Sequence, residues 1–260
     1  GRQMICLSVN LNKIALLRNA RNGDNPSITE AAKIVIASGA SGITVHPRPD
    51  QRHIRPDDIA ALTDLLTEHN QIEFNIEGNP HSHKERNGYP GFSALIESAR
   101  PHQATLVPDS NNQLTSDHGW DLRGNNADLV KLIKKYRDFG SRISLFIDPN
   151  PEQITIAKDI GVDRIELFTG PYAHSFAEKG VRHPDLVDTF SHYKEMAEMA
   201  TDLGLGVNAG HDLDMNNLKL FKEIDCLLEV SIGQALITDA LKVGLESAVK
   251  QYVEILNGVT

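Results

Sequence analysis

His46 and His211 each follow a short β-branched run, and Glu73 lies within a third, so two imidazoles and a carboxylate stand where strands hand over to loops. An imidazole ordinarily titrates near pH 6.5 and a carboxyl group near 4, and the combination moves protons to and from a carbonyl compound close to neutral pH. Each histidine taken singly serves equally well as a hydrogen-bonded structural residue. Joint placement of His46, Glu73 and His211 at strand ends is what points to acid-base catalysis.

Other polar residues gather at the same kind of position. The first run ends in Asn10, with Asn12, Lys13, Arg18 and Arg21 beyond it; Arg48, Arg52 and His53 follow His46; Glu77, Asp109, Thr115, Asp148, Glu166 and Thr169 lie at or near the ends of later runs. Ser231-Ile232-Gly233-Gln234 leads into a helical pattern, where a glycine turn presents backbone N–H groups to an anion at a helix N-terminus. Asn208-Ala209-Gly210 would complete that site. Arg21, Arg48 and His53 form a second set of groups suited to an anion, although an arginine on a loop is as commonly an ordinary exposed charge. His81-Ser82-His83 has no carboxylate or cysteine at ligand spacing beside it and reads as a solvated loop, so no metal site is expected. A Schiff-base role for Lys13 would require its desolvation, which an exposed, basic stretch does not favour.

These residues must be positioned by strands and helices in alternation. Strands are predicted at Ile5–Val9, Ile43–Val45, Ile72–Ile76, Ala104–Val107, Ile143–Ile147, Arg164–Phe168, Leu205–Val207 and Leu227–Ile232. Helical spacing follows at Ile28–Ser38, Asp57–His69, Phe92–Ser98, Ala127–Phe139, Glu152–Ile160, Leu186–Leu203, Met215–Glu223 and Ala235–Leu256. Gly39, Gly140, Gly161 and Gly204 each stand where a helix must end before the next strand, and Pro26, Pro56 and Pro151 stand at or near helix starts. Eight such units predict a closed (β/α)8 TIM barrel, α/β in class, with extra loops at its C-terminal face. No Gly/Ser linker divides the chain, so 1–260 reads as one domain. Asn79–Gly91 and Thr169–Pro184 are the long polar connections, both at the face where barrel active sites are built.

Composition narrows the partners. The chain has 260 residues, 40% of them hydrophobic, and its formal net charge of −9 argues against a nucleic-acid binder, which needs a basic face. Cys6 and Cys226 lie in apolar runs and read as small core residues of a reducing, cytoplasmic compartment. No apolar segment is long enough to span a bilayer, and Gly1 to Val9 lacks a signal-peptide pattern.

Several segments resemble the pyridoxine 5′-phosphate synthase family. They are Val9-Asn10-Leu11-Asn12-Lys13 with Leu17-Arg18-Asn19-Ala20-Arg21, Gly42-Ile43-Thr44-Val45-His46-Pro47-Arg48 with Asp50-Gln51-Arg52-His53-Ile54, Ser144-Leu145-Phe146-Ile147-Asp148, and Gly206-Val207-Asn208-Ala209-Gly210-His211. The likeness keeps the same order over essentially the whole chain. It implies a (β/α)8 barrel of vitamin B6 biosynthesis that condenses 3-amino-2-oxopropyl phosphate with 1-deoxy-D-xylulose 5-phosphate, giving pyridoxine 5′-phosphate, inorganic phosphate and water, with no cofactor. By the same resemblance His46 and Glu73 are proton acceptors and His211 a proton donor. Asn10, Arg21, Asp212, Gly233 and Gln234 would hold the amino ketone phosphate. Asn12, Lys13, Arg48, His53 and Thr115 would hold the deoxyxylulose phosphate, and the family suggests dimers assembled into an octamer. This chain departs from better-known members, which have Asp-His at Asn12-Lys13, glycine at Asp212, histidine at Gln234 and a shorter loop at Asn79–Gly91. A sugar-phosphate aldolase or epimerase, or a binding subunit on a degenerate barrel, are the competing expectations.

Overall fold

Apolar and polar residues alternate along most of the strands, and the barrel is built from that alternation. The structure, a computed structural model, describes residues 3–258, so the outermost two residues at each end of the expected 1–260 domain, Gly1 among them, lie outside the described residues. Strands β1 (Cys6–Asn10), β2 (Gly42–Val45), β3 (Glu73–Gly78), β4 (Gln103–Leu106), β5 (Arg142–Ile147), β6 (Arg164–Phe168), β7 (Gly206–Gly210) and β8 (Leu227–Ile232) run parallel and close in sequence order. The expected (β/α)8 barrel is therefore the fold.

Its helices are α1 (Asn12–Asn19), α2 (Ile28–Ala37), α3 (Pro56–Leu66), α4 (Phe92–Ala99), α5 (Ala127–Asp138), α6 (Pro151–Asp159), α7 (Gly170–Lys179), α8 (Pro184–Asp202), α9 (Leu218–Phe221), α10 (Gln234–Val243) and α11 (Leu245–Asn257). Two of them, α1 and α7, occupy segments the sequence left as loops. The single helix expected over Ala235–Leu256 is two, because Gly244 takes φ +87° and turns the chain between them. The expected Met215–Glu223 helix shrinks to the single turn α9. Gly39, Gly140, Gly161 and Gly204 all adopt positive φ, as helix-closing glycines do.

Leu7, Val9, Ile43, Val45, Ile76, Leu106, Leu145, Ile165, Leu167 and Val230 are buried in the continuous apolar layer that joins sheet and helices. Each such side chain contributes about 1.5–3 kcal/mol by leaving water. The other face of the strands is polar and points into the barrel. Ser8 and Thr44 share a 2.6 Å hydrogen bond, Asn75 donates to Thr44 at 3.1 Å, and Thr105 donates to Asn75 at 2.8 Å. Nearer the base, Gln103 and Asn208 both donate to Glu229, Arg164 donates to Asn208, and Arg142 to Gln103. Barrel interiors are ordinarily filled by branched aliphatics; here a network of hydrogen-bonded polar side chains fills much of that role, although the buried Ser144 hydroxyl has no partner among the described residues.

Candidate active site

Side chains on one face of a strand recur every second residue, so the last inward residue of each strand reaches the mouth of the barrel. Asn10 of β1, Glu77 of β3, Phe146 of β5, Glu166 of β6 (one step before Phe168 on the same face), Gly210 of β7 and Ser231 of β8 all line one cavity of about 300 Å³. Volumes of this order suit small-molecule ligands. Asn12, Lys13, His46, Arg48, Thr115, His211, Asp212, Gly233 and Gln234 complete its wall.

Four residues expected in the site lie elsewhere. Glu73 is the first residue of β3, at the opposite end of the barrel, where Arg142 holds both its oxygens at 2.9 and 3.0 Å. At about 3.3 Å per residue it stands roughly 13 Å along the strand from Glu77. The expectation that Glu73 closes a strand is corrected: the strand runs on to Gly78. Arg21 is exposed in the turn after α1 and absent from the cavity wall. His53 is buried behind the wall, its Nδ1 accepting the Ile54 N–H at 2.8 Å. Asn208 likewise belongs to the buried network with Glu229, so it does not complete the anion site. The stop signal Gly78-Asn79-Pro80 marks Glu77 as the last inward position, and it was present in the sequence.

The surroundings set the protonation of each group. His46 is 4% exposed, its backbone N–H donating to Asn12 Oδ1 at 2.9 Å. Burial, then the charges of Arg48, His53 and Arg52, hold its imidazole well below the usual histidine range, so it is neutral at physiological pH. Burial and the neighbouring Asp109 push Glu77 up to about 7, against the pull of Arg48 and His211. Glu166 is raised well above the carboxylate range by burial and by Glu77 and Glu229, a shift that favours the protonated form. Lys13 is lowered by burial and by Arg48 and Arg52, so the desolvation it was expected to lack is partly present.

His211 is held from three sides. Its Nδ1 pairs with Asp212 Oδ2 at 3.0 Å, its Nε2 with Thr115 Oγ1 at 2.8 Å, and its ring packs edge-on to Phe168 at 5.5 Å. The aspartate on Nδ1 orients the ring and places Nε2 on the Thr115 side, at the cavity wall. Both His211 (φ +99°) and Asp212 (φ +61°) adopt left-handed backbone, a geometry that costs energy outside glycine and is maintained by fixed partners. Those partners are Thr169, which donates to the His211 carbonyl, and Asn217, which donates to that of Asp212. Tyr172 anchors Asn217 in turn, so α7 and the turn α9 buttress this corner.

The rest of the wall carries the helix terminus, beyond the neighbouring β8, and the cations, beyond β1 and β2. Gly233, Gln234 and Ala235 line the cavity at the N-terminus of α10, where unpaired N–H groups favour an anion. Arg48 pairs with the buried Asp109 at 3.0 Å, and Ser116 donates to the same Asp109 oxygen at 2.6 Å. Arg52 donates to the carbonyls of Gln113, Leu114 and Asn111 and so pins the segment that brings Thr115 and Ser116 over the mouth. Among the described residues no three His, Cys, Asp or Glu are grouped to hold a metal ion.

The model of the family described as "Pyridoxal phosphate biosynthesis protein PdxJ" matches residues 7–258. The chain belongs to the PdxJ family. It is accordingly an enzyme of vitamin B6 biosynthesis. A pyridoxine 5′-phosphate synthase of Xanthomonas axonopodis pv. citri is 51% identical over 252 residues, covering 96% of either chain. One of Xylella fastidiosa is 49% identical over 255 residues, 97% of this chain and 95% of the relative. Solved structures of tryptophan synthase from M. tuberculosis (TM-score 0.61, 13% identity, 97% of this chain and 93% of that one) and of phosphoribosylanthranilate isomerase from Thermotoga maritima (0.56, 11%, 98% and 100%) share the PdxJ-family chain's fold. No helix among the described residues is long and apolar enough to cross a membrane.

Proposed function

We propose that the chain is a pyridoxine 5′-phosphate synthase that condenses 3-amino-2-oxopropyl phosphate with 1-deoxy-D-xylulose 5-phosphate by general acid-base catalysis. The observation that carries this reading is the convergence of His46, Glu77, Glu166 and His211 on one cavity whose wall also holds a helix N-terminus and Arg48. Attack of an amine on a ketone, loss of water and ring closure each require a proton moved at a defined face. His46, neutral in its buried setting, acts as a proton acceptor. Glu77 takes the acceptor role expected of Glu73, since it reaches the cavity and its carboxyl group titrates near neutrality. Glu166, kept protonated, donates a hydrogen bond to oxygen as charge develops. His211, oriented by Asp212, donates a proton to a departing oxygen.

Two phosphates need two anion sites, and the wall offers two. The α10 N-terminus with Asn10 suits the amino ketone phosphate, and Arg48 with Lys13 suits the deoxyxylulose phosphate. Neither a cofactor nor a metal takes part in this scheme. Cys6 and Cys226 are unpaired thiols, which supports a cytoplasmic location, and family resemblance supports a homo-oligomer, an octamer built from dimers. The test is an assay with the two phosphates separately and together. Product and inorganic phosphate should form only with both; turnover of either one alone would instead indicate an aldolase or epimerase.

A further inference from the structure

Arg48 bonds one carboxylate, Asp109, through Nη2 at 3.0 Å, and shares the substrate-cavity wall with another, Glu77. Among the described residues, the hydrogen bond recorded for the Glu77 carboxylate is a long one, 3.5 Å from Asn10 Nδ2. Asp109 does not line the substrate cavity; it borders a small cavity behind Arg48, and its side chain is 3% exposed. It is therefore shielded from any ligand and from water.

We propose that Asp109 is a positioning residue that holds the Arg48 guanidinium off Glu77, so that Glu77 remains an unpaired base at the cavity wall.

Asp109 is well built for this task. Ser116 donates to the same Oδ2 that accepts from Arg48, and Asn79 donates to the Asp109 backbone carbonyl at 3.0 Å, fixing the residue from both flanking connections. A buried arginine left without its partner is strongly driven to find another anion. Glu77 is the carboxylate that shares the cavity wall with it on the neighbouring strand. A Glu77–Arg48 pair would neutralise the base and occupy the cation meant for a substrate phosphate. Charged and titratable groups act on Glu77 from every side: Arg48 beyond β2, Asp109 beyond β4, Glu166 on β6, His211 beyond β7 and Glu229 on β8. Of these, Arg48 and Asp109 are the two joined to one another.

The inference rests on the synthase reading only in calling Glu77 the base, and its test can be read without turnover. Carbon-13 NMR of the Glu carboxyl groups, with the Glu77 signal assigned by its loss in Glu77→Gln, would follow its titration in the full chain. Four proteins are compared: wild type, Asp109→Asn, Arg48→Gln and the double variant. With Arg48 present, Asp109→Asn should move the Glu77 midpoint down by roughly one to three pH units, the effect of a new arginine neighbour. In the Arg48→Gln background the same substitution should move it much less, since only the through-space charge of Asp109 is lost. Equal shifts in both backgrounds, or no shift in either, would overturn the proposal. Asp109→Ser replaces Asn should the latter not fold, with the same expected inequality.

Kinetics supply a second readout. Asp109→Asn should move the acid limb of the kcat profile to lower pH and reduce the plateau about tenfold or more, whereas Asp109→Glu, which keeps a partner for Arg48, should retain a limb near that of wild type. An unmoved limb in Asp109→Asn with an unchanged plateau would count against the assignment. Wild-type protein that fails to turn over the two phosphates would overturn the synthase reading alone, leaving the NMR comparison to decide on Asp109.

Discussion

At the scale of single residues, the position of a carboxylate along one strand decides what it can reach. Glu73 and Glu77 are chemically identical and lie on the same face of β3, but one ends at the base against Arg142 and the other at the mouth. Glu77→Gln should therefore lower kcat by about two to four powers of ten, the range of a lost general base, with KM little changed. Glu73→Gln should leave kcat within a few-fold, and because the Glu73–Arg142 pair is partly solvated it should cost less than about 1 kcal/mol in thermal or urea unfolding. A Glu73→Gln variant as inactive as Glu77→Gln would return the base to Glu73. Glu77 also couples stability to pH. Its folded value near 7 lies above the ordinary carboxyl value, so it binds a proton in the folded state that the unfolded chain has released, and its contribution to stability is lost as pH rises from about 4.5 through 7. Buried His53, lowered to about 3, acts in the opposite sense, contributing above pH 6.5 and losing that contribution as pH falls toward 3. Melting curves at a series of pH values isolate the first effect: Tm of Glu77→Gln minus that of wild type should increase from pH 5 to pH 8, and a flat or falling difference would contradict the assigned shift. The residue types of the site were legible in the sequence. Which of two glutamates on one face ends the strand is marked by the Gly78-Asn79-Pro80 stop and by pairing that extends to Gly78, neither of which alternation alone reveals.

At the scale of elements, the strands and the longer helices follow from apolar spacing and glycine punctuation, while α1 and α7 do not. Both are short and mix charged or polar residues with apolar ones, so their helicity comes from docking; Arg18 of α1, for example, is buried in a bidentate pair with Asp58 of α3. Likewise β7 extends three residues beyond its expected end and draws Asn208 into the interior network, leaving Gly210 at the mouth. That shift gives Gly210 a specific duty, because a Cβ built there would lie 2.5 Å from Glu166 Oε1. Gly210→Ala should displace the Glu166 carboxyl from its place in the wall and reduce kcat by at least about tenfold, consistent with the loss of a preorganised donor. Its Tm should fall modestly, and a crystal structure should show the Glu166 side chain moved. Full activity with an unmoved Glu166 would show that the strand end yields at no cost and that Gly210 has no part in the geometry.

At the scale of the whole molecule, the barrel is apolar where sheet meets helices and polar along its axis, so its strands carry chemistry inward and packing outward. In the proposed scheme charge compensation at the mouth falls to Arg48, Lys13 and the α10 terminus, and the acid-base roles of His46 and His211 require ring nitrogens free of metal. Activity should thus survive exhaustive chelation, and loss on EDTA treatment restored by one particular divalent ion would sink the scheme. The outer surface bears on assembly. Leu16 and Leu17 of α1 are 42% and 58% exposed, and Leu241 and Val243 of α10, the helix packed beside α1, are 79% and 48% exposed. Aliphatic side chains scattered singly over a surface need no explanation, but four on two helices in contact make that face a candidate for subunit contacts. The homo-oligomer expected from the family would place this face in an interface, while the net charge of −9 keeps the rest of the surface from associating. Light scattering coupled to size exclusion should give a mass that is a multiple of 28.6 kDa. Leu17→Glu combined with Leu241→Glu, both on the exposed side of their helices and outside the cavity wall, should reduce that mass to a smaller assembly while leaving far-UV circular dichroism unchanged. An unaltered mass would move the interface to another face, and a monomeric wild-type protein would dispose of the assembly altogether.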